Sequence, residues 1–122
     1  MEREILFRGK RDPHYGKGWC YGVPYTDHEG DCIIATHNSQ MVVIEKTVGQ
    51  YTGLTDKNGV KIFEGDILEA ESGNIGYVMF INGAFMKSCN SKDMPFLIAS
   101  DVNAVIGNVF DNPELLKGED LK

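Results

Sequence analysis

The chain has 122 residues, of which 42% are apolar and 25% charged, the balance of an ordinary globular protein. A chain of this length buries roughly two thirds of its unfolded surface, so a core needs neither disulfide nor metal, and residues 1–122 read as one domain. A net charge of −6 argues against a general binder of nucleic acid or anionic membrane, which gains affinity by neutralising phosphates.

The charge is uneven. Residues 1–20 carry Arg3, Arg8, Lys10, Arg11 and Lys17 against Glu2, Glu4 and Asp12, a net of +2, and the rest of the chain carries −8. Three cysteines (Cys20, Cys32, Cys89) are an odd number with no C-x-x-C spacing, which reads as reduced thiols in a cytosolic protein. "MEREILFRGKR" places charges where a signal peptide needs an apolar core. No apolar run approaches the roughly twenty residues that span a bilayer. The expected setting is the cytoplasm, away from membranes.

In chain order, "REILFRG" alternates as a half-buried strand, and "RDPHYGKG" is a turn region. "WCYGVPY" alternates again with Trp19, Tyr21 and Val23 on one face. Pro24 lacks an N–H, so this strand is expected to end there or to lie at an edge. "TDHEGD" is loop text. "CIIA" and "MVVIE" are short β-branched runs whose separation by "THNSQ" suits a hairpin.

"VGQYTGL" then reads as a strand and "TDKNG" as a turn, because Asn58-Gly59 readily takes up positive φ. "VKIFEGDILEA" alternates until Gly65. A glycine inside a strand pattern suggests a bulge or sharp bend, a device that curls a small sheet into a barrel. "SGNIG" is a turn. "YVMFINGAFMKS" contains Asn82-Gly83 between apolar runs, a hairpin signal. "NSKDMP" is loop, and "FLIAS" and "AVIGNVF" are the last apolar runs. "DNPELLKG" has the form of a short helix, with Asn112 as N-cap, Pro113 at the first position, Glu114 in the first turn and Gly118 closing it. Many short strands separated by turns predict a mainly β domain.

The stretch "VGQYTGLTDKNGVKIFEGDIL" resembles the signature of the YopX family, small proteins of bacteriophages and prophages. That signature runs approximately Q-[YF]-T-G-L-x-D-x-N-G-x-x-I-[YF]-E-G-D-I. The chain matches it at Gln50, Tyr51, Thr52, Gly53, Leu54, Asp56, Asn58, Gly59, Ile62, Phe63, Glu64, Gly65, Asp66 and Ile67. "REILFRGKR", "WCYG" and "VIGNVFDNPELL" are similar to the family's opening and close. The resemblance implies an SH3-like barrel or roll of short antiparallel strands with an added hairpin, a phage origin and a bacterial host cell. It supplies no reaction, because a shared fold does not carry an activity.

The candidate chemistry competes with structural readings. Glu64 and Asp66 would share one face of a regular strand, where paired carboxylates bind a cation or do acid/base work. An enzyme built on them would draw on Tyr51 or His37. An acid beside a glycine also fixes a bend by accepting backbone N–H groups, and this is the stronger reading. Asp56-x-Asn58-Gly59 is not a calcium loop, since Val60 stands where that loop needs an oxygen ligand. His28, Cys32 and His37 lack the close pairing of zinc ligands. Arg8, Lys10, Arg11 and Lys17 beside Tyr15, Trp19 and Tyr21 suit single-stranded nucleic acid by charge and stacking, but the whole-chain charge opposes this.

The expectation is therefore a single mainly β domain, an SH3-like barrel or roll with an added hairpin and a short C-terminal helix. The function expected is that of a non-catalytic phage accessory module that binds a macromolecule, a protein in preference to nucleic acid, or self-associates. No catalytic residue, cofactor or metal is assigned. An acidic surface steers such a module toward a basic partner.

Overall fold

The structure is a computed structural model and describes residues 4–89 and 94–116. The described residues are mainly β, with two antiparallel sheets and three single turns of 3₁₀ helix. By its packing the chain divides into two compact units, Met1–Tyr51 and Thr52–Lys122.

The first unit is a meander. Strands β1 (Phe7–Lys10), β2 (Trp19–Thr26), β3 (Cys32–Ala35) and β4 (Gln40–Val42) lie in the order β4-β3-β2-β1. The start of β5 (Gly49–Thr55) runs beside β1, with Gln50 opposite Phe7 and Gly49 opposite Arg8. Period-two alternation sorts β2 into two faces. Cys20 faces a core with Ile34 and Val43, flanked by Phe7, Cys32, Met41 and Val48. Trp19, Tyr21, Val23 and Tyr25 take the other face.

Gly22 marks a close approach in this sheet. A Cβ at that position would stand 2.2 Å from the carbonyl oxygen of Ala35, so only glycine fits. Pro24 does not end β2, but it lies where the strand has one partner only, the edge position its missing donor predicts. β1 stops with Phe7 opposite Gly22, so beyond that point β2 pairs with β3 alone. Pro24 therefore takes no N–H away from the β1–β2 ladder. The β3–β4 hairpin forms as "CIIA…MVVIE" suggests, with Ile33 opposite Val42 and Ile34 opposite Met41. The hydroxyl of Thr36 accepts the Ser39 N–H at 3.0 Å and ties its loop.

In the second unit β6 (Lys61–Phe63) is hydrogen-bonded to β5. β7 (Asp66–Ala70), β8 (Ile75–Ile81), β9 (Ala84–Ser88), β10 (Phe96–Leu97) and β11 (Asn103–Asn108) form a sheet in the order β10-β9-β8-β7-β11. Ile62, Leu68 and Val78 form its core with Phe85, Ile98 and Val105 around them. Each such fully buried side chain contributes about 1.5–3 kcal/mol of hydrophobic stabilisation. Asn82 (φ 51°) and Gly83 (φ 83°) both take positive φ, which makes the β8–β9 link a type I′ hairpin with Ile81 opposite Ala84.

Neither strand order returns to its start, so among the described residues no closed barrel exists. The bend at Gly65 is real but does different work. Gly65 (φ 91°) sits in a two-residue turn after Phe63 that carries the chain from the strand beside β5 into the other sheet. It does not curl one sheet onto itself. The expected C-terminal helix is one 3₁₀ turn, Pro113–Leu116, and Gly118 lies outside the described residues. Asn112 is not its side-chain cap: Asn112 Oδ1 accepts the Asn108 N–H at 3.2 Å, back toward β11.

Candidate functional site

The signature stretch converges on one carboxylate. Asp56 is 5% exposed, and its Oδ1 accepts the N–H groups of Asn58 (2.8 Å) and Val60 (2.9 Å). This is the side-chain mimicry of a turn that Asp performs beside Asn-Gly. Its Oδ2 accepts the N–H of Val105, on β11, at 2.8 Å. Lys57 N–H donates to the Asn103 carbonyl next to it at 3.0 Å. The turn thus covers part of the outer edge of β11. Burial pushes the Asp56 carboxyl up, but the N–H groups of Val105, Val60 and Asn58 outweigh it and hold the group below its ordinary 3.8.

Asp66 has a similar duty. It is 2% exposed, and its Oδ2 accepts the Phe63 N–H at 2.7 Å across the Glu64-Gly65 turn. β6 ends at Phe63, so Glu64 stands in the turn and the strand parity that would align it with Asp66 does not apply. Thr52 Oγ1 donates to the Ile62 carbonyl at 2.8 Å and accepts the Leu54 N–H at 3.1 Å. Tyr51 is buried and its N–H donates to the Leu6 carbonyl. Gln50 is half-buried in β5, Gly53 and Gly59 take positive φ, and Ile62 and Phe63 are core. His37 is exposed in the β3–β4 loop.

Of the basic and aromatic residues of the N-terminal segment, Arg8, Lys10, Trp19 and Tyr21 share one face of β1 and β2, whereas Arg11 lies on the Cys20 side, engaged with that thiol, and Tyr15 is in the β1–β2 loop. Arg8 stands opposite Tyr21 and Lys10 opposite Trp19. Arg8 is 7% exposed, with its guanidinium carbon 4.6 Å from the centre of the Trp19 ring, a cation–π stack. Arg11 is half-buried and Lys17 exposed in the β1–β2 loop. Tyr21, Val23 and Tyr25 follow Trp19 along the strand and are 46%, 58% and 41% exposed. Tyr25 donates its hydroxyl hydrogen to Gln40 Oε1 at 2.9 Å.

Three features went unseen in the sequence. Lys87 is 1% exposed, and its Nζ donates to Asn103 Oδ1 (2.7 Å) and to the Asn74 carbonyl (3.0 Å). Burial lowers its pKa from the ordinary 10.5, against weaker pulls upward from Cys89 and Glu69. The available signal was parity: in "AFMKS", Lys87 shares the face of Phe85. The loop after β2 brings carboxylates of Asp27, Glu29 and Asp31 within 4.8 Å of one another. There Asp27 Oδ1 is already engaged by the Glu29 and Asp31 N–H groups. Finally, the uncharged segment at β10 exposes Met94 (83%), Phe96 (45%) and Leu97 (70%). Burial raises the pKa of Cys20, and burial followed by the Glu45 charge raises that of Cys32.

A mainly β protein of two antiparallel sheets, with its signature acids spent on turns, is the class that fold and site define. The family profile described as YopX protein matches residues 9–117, and the chain belongs to that family. No curated protein matches it. Among solved structures it is similar to the crystal structure of protein EF1440 from Enterococcus faecalis. The two are 23% identical over 95% of this chain and 100% of that one, with a TM-score of 0.64. That likeness concerns the fold. Among the described residues no helix is long and apolar enough to cross a membrane.

Proposed function

We propose that the chain is a non-catalytic phage accessory module that binds another protein by accepting an extended segment on the free edge of β10. The observation that carries this reading is the composition of that edge. Among the described residues β10 is the terminal strand of its sheet, and residues 94–99 contain no charge. Edge strands are ordinarily blunted by charged side chains, because an apolar edge templates another strand. Here Phe96 and Leu97 point to opposite faces and are both exposed. An incoming strand would gain main-chain hydrogen bonds and one apolar contact on each face. The chain's net charge of −6 steers a basic segment toward it.

The absence of catalysis is part of the proposal. Asp56 and Asp66 accept backbone N–H groups that the fold needs, which leaves them poor candidates for acid/base work.

The test is affinity purification from phage-bearing host cells with the parent chain and with Leu97→Lys. A host protein captured by the parent and lost with Leu97→Lys supports the reading, provided amide exchange at Phe96 and Leu97 slows in the complex. Equal capture by both chains overturns it.

A further inference from the structure

We propose that the outer face of β2 is a self-association surface whose occupant is a second copy of the chain, packed face to face with the two β2 strands antiparallel. Two independent observations meet on this face.

The first is its composition. Trp19, Tyr21, Val23 and Tyr25 line one side of β2, and the last three are 46%, 58% and 41% exposed. Tyr, Trp and Arg are the residue types that anchor protein interfaces, since their rings cover much area at little entropic cost. Arg8, stacked under Trp19, holds that ring in place.

The second is charge. The strand is eight residues long, and its ends carry opposite signs. At the Trp19 end lie Lys10, opposite Trp19, and the exposed Lys17; Arg11 lies on the Cys20 side of the sheet and is engaged with that thiol. The acid there, Asp12, is engaged locally: its Oδ1 accepts the His14 N–H at 2.9 Å and sits 3.2 Å from the His14 ring nitrogen. At the other end, after Thr26, Asp27 is engaged by the Glu29 and Asp31 N–H groups, and the exposed carboxylates of Glu29 and Asp31 carry the acidic charge. A strip with one basic and one acidic end is complementary to itself when turned end for end. A two-fold axis near Val23 sets Val23 against the partner copy's Val23, and Tyr21 against its Tyr25. It also brings each basic end to an acidic loop, so both charge contacts form at once. The arrangement is isologous and closed, which gives dimers and not fibres.

This surface uses residues of the first unit and none of β10, so the two proposals fail independently. The full chain, 13.6 kDa, is examined by sedimentation at about 1–100 µM, the range in which modest interfaces dissociate. Trp19 is the sole tryptophan, and its fluorescence reports occupancy of this face. A dimer is expected at low salt, weakened at least tenfold at about 0.5 M salt as the end contacts are screened. Val23→Lys, at an exposed position, abolishes it.

Two charge-reversed chains supply the decisive arm. Lys10→Glu with Lys17→Glu makes both ends acidic, and Glu29→Lys with Asp31→Lys makes both ends basic. Each alone is expected to be monomeric, and mixed they form a heterodimer at least as tight as the parent dimer. A parent chain that stays monomeric throughout the range overturns the inference. So does a dimer indifferent to Val23→Lys, a mixture that fails to pair, or a Trp19 response to single-stranded oligonucleotide with the chain monomeric.

Discussion

The carboxylate of Asp56 and the backbone N–H of Val105, 49 positions apart in sequence, are joined by a 2.8 Å hydrogen bond. Through this bond the signature turn serves a distant strand as well as itself. An edge strand needs partners for its outward N–H groups, and here an acid supplies one. The turn residues Asn58 and Gly59 are thus tied to the fold by the residue that organises them.

Replacing Asp56 by Ala leaves three N–H groups without their acceptor. We expect a loss of about 2–4 kcal/mol, since hydrogen bonds to charged groups contribute about 1.5–3 kcal/mol and orphaned buried donors cost more. Asp56→Asn keeps one carbonyl oxygen and loses less. Urea titration of the three chains, with unchanged m-values, checks the order.

The same carboxylate predicts an acid response. Its folded pKa lies below 3.8, so the unfolded chain binds a proton first as pH falls. The stabilisation is complete above the unfolded value and is lost as pH drops through the folded one. The stability difference between the parent and Asp56→Asn is expected to shrink steadily below about pH 4. A constant difference from pH 7 to pH 2 contradicts this.

Lys87 titrates in the opposite region. Its folded pKa lies below 10.5, so between the two values the unfolded chain binds more protons and stability rises with pH. Below the folded value the cost of burying the ammonium is constant. Lys87→Met removes the titration along with the bonds to Asn103 and Asn74. The parent chain is expected to gain stability relative to Lys87→Met on moving up through the alkaline range toward pH 10.5. Parallel denaturation curves across that range would count against it.

Gly22 and Gly30 make a controlled pair. Gly22→Ala drives a Cβ into the Ala35 carbonyl, whereas Gly30 has open space around it and only a positive φ of 89°. Overpacking against backbone costs about 1–3 kcal/mol or more, and we expect the upper end at Gly22. A left-handed alanine costs about 1–2 kcal/mol. Gly22→Ala is therefore the more damaging change, and thermal melts of both rank them.

Much of this architecture was legible in local text. Asn82-Gly83 announced its hairpin because the dipeptide itself tolerates positive φ at both positions. The alternation of "WCYGVPY" already placed Trp19, Tyr21 and Val23 on one face, and that face is now the proposed interface. The family signature was readable because its residues form consecutive turns and short strands. Pro24 signalled a locally unpaired edge correctly but not the end of its strand, since a missing donor matters only where a neighbour pairs and the length of β1 is not written in β2. The barrel was overread from Gly65 for a related reason: a bend states that the chain turns and not which sheet receives it.

The strands, the turns, the acidic balance and the family could all be read along the chain, because each rests on residues close together in it or on simple counts. Tertiary structure alone decided that Asp56 would cover the edge of β11, that Lys87 would be buried against Asn103, and that the strands would form two open sheets. Those outcomes depend on which distant backbone groups need a partner once the core has formed, a demand that no local pattern encodes.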